Sequence, residues 1–312
     1  MEIFKPSTRI DFMGKRRLAV GVSLLLLLIS AVSLVWQGLK LGIDFTGGTV
    51  MEVSYPGPIE LDRVRDSLEQ AGYGRAVVQH FGTSSDVLIR LAPKEGEDRS
   101  QVSNRIFEVL QTGHKGGLKL QRVEFVGPQV GEELREKGGL AMLYALAGIL
   151  IYVALRFEYR FSVGAIIALV HDVVITLGFF SVTQMEFDLS VLAALLAVIG
   201  YSLNDTIVVF DRVRENFRKI RKGTSVEIVN TTVNNVLSRT VMTSLTTLLV
   251  LLALFFLGGE AIHAFSVALI VGVIIGTYSS IYVASTSLLA LGLSRADLMP
   301  VKKEGAEADE RP

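Results

Sequence analysis

Six stretches of this chain are long and apolar enough to cross a bilayer, and that property restricts the fold more than any motif. A hydrocarbon core about 30 Å thick takes roughly 20 helical residues. Leu18–Trp36, Gly138–Leu155, Phe161–Val182, Ser190–Phe210, Thr240–Leu257 and Ala264–Leu291 meet that length. The chain therefore reads as a polytopic α-helical membrane protein with six transmembrane helices. Its 50% hydrophobic content over 312 residues would not by itself separate it from a rich soluble protein; the clustering does.

Lys and Arg concentrate in cytoplasmic loops, so they orient the spans. Lys15, Arg16 and Arg17 precede the first span, Arg156 and Arg160 lie between the second and third, and Asp211–Arg239 carries seven basic residues. The alternate loops, Thr183–Leu189 and Gly258–His263, carry none. Residues 1–17 and 292–312 are then cytoplasmic, and 37–137 lies outside. The first span ends at Trp36-Gln37 with no small-x-small cleavage pattern, which reads as an uncleaved anchor rather than a signal peptide. The run Arg212 to Lys222 fits retention on the cytoplasmic side, and a net charge of zero gives no case for nucleic acid. With no cysteine, the external segment has no disulfide staple.

The 37–137 segment has soluble composition. Thr49–Tyr55 alternates with Met51, Val53 and Tyr55 on one face, and Leu61, Val64, Leu68 and Ala71 recur at helical spacing after Pro58. Ala76–Phe81 and Val87–Leu91 read as strands joined by a Gly82–Asp86 loop. A second helix is marked by Val102, Ile106, Val109 and Leu110, and a last strand by Leu118–Val126, whose alternation slips at Gln121-Arg122 and predicts a bulge or an edge. The order β-α-β-β-α-β predicts an external α+β ferredoxin-like domain. It carries no metal-spaced cluster and no nucleophile with an evident base, and His80 and His114 are lone. The segment reads as a binding domain, not a catalytic one, and no cofactor is implied.

Within the spans the chemistry centres on Asp205. An ionised aspartate at a helix centre costs roughly 2.5–3.5 kcal/mol on insertion scales, so such residues face protein or water and mark ion or proton pathways. Asp205 lies six residues before Asp211, roughly 9 Å inside the cytoplasmic end of its span. Tyr201 and Ser202 share its side, Asn204 precedes it, and Arg212 continues the stripe. Arg239 opens the fifth span, after an amphipathic stretch at Val226, Val229, Val233 and Val236 that either bends into that span or stands apart. Arg239 either pairs with Asp205, so that protonation of the acid releases the guanidinium, or snorkels to headgroups. His171 and Asp172, deeper in the third span, form a possible second polar site; adjacent residues point about 100° apart and cannot both face one partner. In the sixth span Ala264, Ala268, Gly272, Gly276, Ser280 and Ala284 make a ridge of small residues for close helix packing, and Thr277, Ser279 and Ser285 add hydroxyls.

Gly42-Ile43-Asp44-Phe45-Thr46-Gly47-Gly48-Thr49 directly follows the first span, and Gly200-Tyr201-Ser202-Leu203-Asn204-Asp205 continues through Asp211-Arg212 to close the fourth. Together with Leu237-Ser238-Arg239-Thr240, Thr243-Ser244 and His171-Asp172, these runs resemble the SecF family of bacterial protein export. The resemblance covers nearly the whole chain. It implies a bacterial inner-membrane subunit of the SecDF complex, related to the resistance-nodulation-division transporters and supplying half of a twelve-span assembly whose other half is SecD. It further implies proton flow that moves external domains and draws preproteins outward after the SecYEG channel and the SecA motor. Asp205 matches the family's proton-carrying aspartate and Arg239 its arginine partner; protons are the coupling ion, and no catalytic, metal or cofactor-binding residue is implied. Gly42, Asp44, Gly47 and Gly48 then read as a membrane-to-domain coupling element, with Asp44 orienting the turn. Half of a proton-coupled small-molecule efflux transporter and a non-conducting scaffold for the export channel remain alternatives, the first disfavoured by an external domain of only about 100 residues.

Overall fold

A computed structural model describes residues 10–92, 99–114, 117–259 and 262–298. The elements in chain order are α1 (Arg16–Trp36), β1 (Lys40–Leu41), α2 (Ile43–Thr46), β2 (Gly48–Ser54), α3 (Leu61–Gln70), β3 (Val77–Phe81), β4 (Thr83–Leu91), α4 (Arg99–Gly113), β5 (Lys119–Val126), α5 (Pro128–Arg156), α6 (Tyr159–Thr183), β6 (Glu186–Phe187), α7 (Leu189–Lys219), α8 (Ser225–Leu257), α9 (His263–Ser279) and α10 (Ser285–Ala290). A π-helical turn, Ser280–Ala284, joins α9 to α10 and keeps them one continuous rod. Among the described residues six helices are thus long and apolar enough to span a membrane: α1, α5, α6, α7, α8 and the α9–α10 rod.

The bundle is layered by side-chain size and polarity. α6 and α7 are the most enclosed spans, while α1, α5 and α8 leave long apolar flanks exposed, as lipid-facing helices do. Phe210 packs edge-to-face on Phe157 and on Phe161 at one end of the bundle, beside Val213, Val229 and Val233. Small residues permit the closest approaches. A Cβ on Gly178 of α6 would lie 2.7 Å from the Cα of Ser30 in α1.

Three helices run beyond the apolar stretches that predict them. α5 begins at Pro128, ten residues before its apolar run, with proline at the first turn where its missing N–H costs nothing. α7 continues to Lys219 and α8 starts at Ser225, so the amphipathic stretch is continuous with the fifth span and residues 211–239 hold two helical extensions around a short turn rather than a loop. A capping box starts α8: Thr224 Oγ1 accepts from the Glu227 N–H, and Glu227 returns a bond to the Thr224 N–H. The extensions persist because they bury Val213, Phe217, Ile228 and Val229 against each other, with Asn216 donating to Thr232. The segment before α1 is pinned on the α8 extension, where Asn230 Oδ1 accepts from the N–H groups of Phe12 and Met13.

The external segment folds as a four-stranded antiparallel sheet in the order β3-β4-β2-β5, the ferredoxin-like order, with α3 and α4 on one face. Met51, Val53, Val64, Leu68, Ile89 and Ile106 form its core. Gln121 is the extra residue of a bulge on edge strand β5, because Glu52 pairs with Arg122 while Val53 pairs with Leu120. The β3–β4 connection differs from the sequence reading. Thr83–Asp86 belongs to β4, leaving only Gly82 at φ +74° between the strands. Those polar residues stay extended because the chain after β2 pairs with them, Tyr55 N–H bonding the Ser85 carbonyl and Ile59 N–H that of Ser84.

Candidate functional site: two buried acids and a clip to the external domain

Asp205 is 8% exposed at the centre of the bundle. Its Oδ1 accepts from Thr240 of α8 at 2.9 Å and its Oδ2 from Ser280 of the π turn at 2.6 Å. Arg239 makes no hydrogen bond or close ion pair with it, although its charge lies near enough to act on the carboxylate through space. Thr240 turns inward, and on a helix its predecessor must then point about 100° away, which leaves Arg239 exposed on the outside of α8. Asn204 is exposed on the outside of α7 for the same reason. Both sit on surfaces that this bundle leaves uncovered.

Asp172, fully buried, forms a second node. Its Oδ2 accepts from Ser202 of α7 and, at 2.7 Å, from Ser279 of α9, while its Oδ1 lies 2.8 Å from His171 Nδ1. Adjacent residues thus share no third partner but bond each other, and each faces a different helix. His171 Nε2 lies 3.1 Å from Ser23 of α1, Ser23 lies 3.0 Å from the Tyr278 hydroxyl, and that hydroxyl donates to the Ala19 carbonyl at 2.7 Å.

Donor counting fixes the protons along this chain. The carbonyl only accepts, so Tyr278 donates to it and accepts from Ser23; Ser23, its one proton given, accepts from His171 Nε2–H. A single proton must then bridge Nδ1 and Oδ1. The His171–Asp172 pair is neutral overall, which is what full burial favours.

Ser279 and Ser280 are consecutive, yet one holds Asp172 and the other Asp205. The turn that starts at Ser280 is π-helical, a local widening frequent at functional sites. One rod therefore grips both acids, and its movement changes both donor sets together. Tyr201 of α7 donates to Ser244 of α8, which lies 2.6 Å from the Thr277 hydroxyl, adding a third polar crossing. Ser202, expected beside Asp205, serves Asp172 instead. Thr240 stands in the Leu237–Thr240 run with no role of its own assigned, and Ser23 and Tyr278 lie outside the motifs; polar residues at helical spacing inside apolar spans are the available signal.

The glycine motif after α1 is a clip. β1 pairs in parallel with β6, and the Gly42 N–H bonds the Phe187 carbonyl. Asp44 Oδ2 accepts from the Leu189 N–H at 2.9 Å, the first residue of the helix that carries Asp205. Asp188 caps the same helix through the Val191 N–H. Gly47, at φ +69°, abuts Pro128 at the start of α5, and Gly48, at φ +136°, has the Leu91 carbonyl where a Cβ would stand, 2.5 Å away. Both positions need glycine. On the domain side Arg90 of β4 pairs with Glu186 of β6. Burial pushes the Arg90 guanidinium below its ordinary pKa, and the Asp188 charge opposes that shift.

The small-residue ridge packs inside the chain: Gly272 meets Val198 and Gly276 meets Ser202, both on α7, with Ala268 buried nearby. Ser280 leaves the ridge's packing role to hold Asp205. Among the described residues no cluster of three or more His, Cys, Asp or Glu could hold a metal.

A six-span bundle with acids sealed between hydroxyl-bearing helices, and a ferredoxin-like domain clipped to one of those helices, defines a polytopic membrane protein of transport type. Comparison with known proteins supplies the family. Residues 107–294 match the family described as protein export membrane protein SecD/SecF, C-terminal, and residues 32–55 match the SecD/SecF GG motif. The chain is 49% identical to the protein translocase subunit SecF of Vibrio alginolyticus over 100% of its own length and 99% of that protein, and 50% identical to SecF of Pseudomonas aeruginosa over 97% and 98%. It belongs to the SecF family of protein translocase subunits. The crystal structure of SecDF from Thermus thermophilus, described as a translocon-associated membrane protein, aligns with a TM-score of 0.83 at 40% identity over 93% of this chain. This chain spans 40% of that one. A SecDF structure in a super-membrane-facing form aligns at 0.69 with the same identity and coverage, so the two differ in arrangement.

Proposed function

We propose that the chain is the six-span partner of SecD in a SecDF complex of the bacterial inner membrane, and that the complex uses the proton-motive force at a late stage of protein export. The observation that carries this reading is Asp205, a carboxyl buried in a span and held by hydroxyl donors, with no bonded ion pair among the described residues, on the helix whose first N–H is held by the clip from the external domain. Gain or loss of a proton there changes which groups Thr240 and Ser280 must satisfy. The resulting shift of α7 is delivered to β1, β6 and the sheet.

Partners follow from what is left uncovered. Arg239 and Asn204 face outward at membrane depth, where a polar group toward lipid is costly, and SecD's helices would cover them and bring Arg239 its counter-charge. Leu120 and Val123 of edge strand β5 are 39% and 41% exposed, and an apolar strand edge suits an extended preprotein leaving SecYEG and SecA. Basic residues at the opposite ends of the spans support a topology with both termini in the cytoplasm and the sheet outside.

One charge crossing 100 mV yields about 2.3 kcal/mol, enough to bias a hinge and far from enough to unfold a domain, so export would advance in repeated small strokes. Asp205→Asn tests the reading in membrane vesicles that carry SecD and the channel. Export should lose its dependence on the proton gradient while ATP-driven export persists. A scaffold would tolerate the near-isosteric amide unchanged, and an efflux half would fail to crosslink β5 to translocating preprotein.

A further inference from the structure

Where α1, α6 and the α9–α10 rod meet, a cavity of about 450 Å³ opens between the helices. Its walls are apolar, with Val20, Leu24 and Leu27 from α1, Ile166 and Val170 from α6 and Val283 from the π turn; His171 and Ser23 lie on its floor. A second cavity of about 470 Å³, lined by Arg16, Ser225 and Ser294, adjoins it at the N-terminal end of α1, and Thr286 and Ala290 line both. The clip does not reach this slot, and the buried polar chain meets it only at His171 and Ser23.

Its chemistry is that of a lipid site. The Arg16 guanidinium donates to the Met13 carbonyl at 2.9 Å and pairs with no carboxylate among the described residues. Thr286 Oγ1, at the junction, is buried with no hydrogen-bond partner among the described residues. The nearby Asp297 carboxylate, held by Ser294, is already paired with Arg160. From Arg16 to Leu27 is eleven residues, roughly 16 Å of helix, close to half of a hydrocarbon core about 30 Å thick. A groove one leaflet deep with a cation at its mouth fits an acyl chain below its phosphate. A partner's helix would need a groove through the whole membrane.

We propose that this slot binds an anionic phospholipid, one acyl chain lying between α1 and α6, the phosphate on Arg16 and an ester oxygen accepting from Thr286. The tail then seals the His171 end of the buried polar chain from the bilayer. Guanidinium–phosphate contacts are charge-assisted, so the site selects anionic over zwitterionic headgroups.

The test is native mass spectrometry of the complex purified with its partner subunit, delipidated in detergent and titrated with phosphatidylglycerol or phosphatidylcholine of identical tails. Phosphatidylglycerol should bind ~10-fold more tightly, the difference a charge-assisted contact supplies. Arg16→Gln should bring the two lipids to equal affinity, and Val170→Trp, which fills the slot, should remove both. Arg16→Lys, the milder change at the same position, should keep most of the preference. Equal binding of the two lipids by the unmodified protein, an unchanged preference in Arg16→Gln, or a photo-crosslinker at Leu24 that captures a partner's helix instead of lipid would each overturn the proposal.

Discussion

Asp44→Ala removes one hydrogen bond and leaves both halves of the molecule folded, so it isolates the clip. In the native chain Asp44 Oδ2 lies 2.9 Å from the Leu189 N–H and brings a negative charge to the positive end of α7. Losing a side-chain cap costs about 1 kcal/mol, and losing the charge at a helix N-terminus roughly 0.3–1 kcal/mol more. Asp188 still caps Val191, so the helix itself survives. The total, about 1–2 kcal/mol, is comparable with the roughly 2.3 kcal/mol delivered by one proton across 100 mV. A stroke transmitted through this contact should therefore lose half or more of its drive, and gradient-stimulated export in vesicles should fall about 5- to 30-fold, since 1.4 kcal/mol is a factor of ten. Asp44→Asn, which keeps an acceptor and loses the charge, should fall between. Hydrogen exchange at the Leu189 amide should rise in Asp44→Ala, proving the contact broken. If exchange rises there while gradient-stimulated export stays at the native level, the clip is only an attachment and the coupling argument fails.

Other perturbations separate packing from chemistry. Asp172→Asn should unfold within about 1 kcal/mol of native, because an amide can donate to His171 Nδ1 and accept from Ser202 and Ser279; Asp172→Leu should lose about 3 kcal/mol or more by stranding those groups, and equal losses would refute the neutral pair. Gly178→Ala puts a methyl against the Ser30 backbone in α1 and should lower the detergent melting temperature, with a cost of about 1–3 kcal/mol; an unchanged midpoint would mean that α1 is free to move. Burial raises the Tyr55 phenol from 10.0 to about 12. The folded domain thus favours the protonated form, so its contribution to stability is intact below about pH 10 and is lost as pH rises toward about 12. Chemical denaturation across that range should show the loss in the native chain and a flatter profile in Tyr55→Phe. Val123→Glu on the β5 edge should reduce preprotein crosslinking and leave gradient sensing intact.

How much of this was legible depended on whether the signal was local. Apolar length gave six spans because the bilayer acts on each segment separately, and strand alternation gave the ferredoxin-like order because one face of each strand meets the core. Asp205 stood out because its cost in an apolar run does not depend on its neighbours. The partners of that acid could not be read the same way. Arg239 and Thr240 are adjacent, both polar and equally placed along the chain, and only the rotation of α8 about its axis decides which one faces Asp205. That rotation is set by Val236, Leu237 and Ser244 packing inward, a tertiary choice. Ser280 illustrates the same limit from the other side. Its four-residue register with Gly272 and Gly276 marks it as a small packing residue, and a π turn, which has no sequence signature here, swings it onto the carboxylate. The exposed Arg239 is therefore informative in its own right. The bundle gives its carboxyl hydroxyl donors and turns its guanidinium outward, near enough to act on the acid through space but not bonded to it, which leaves Arg239 open to a counter-charge on another subunit. Mutating Arg239 to Gln should accordingly leave this chain's fold intact and weaken its association with SecD, whereas an intramolecular ion pair would make the same change destabilise the isolated bundle.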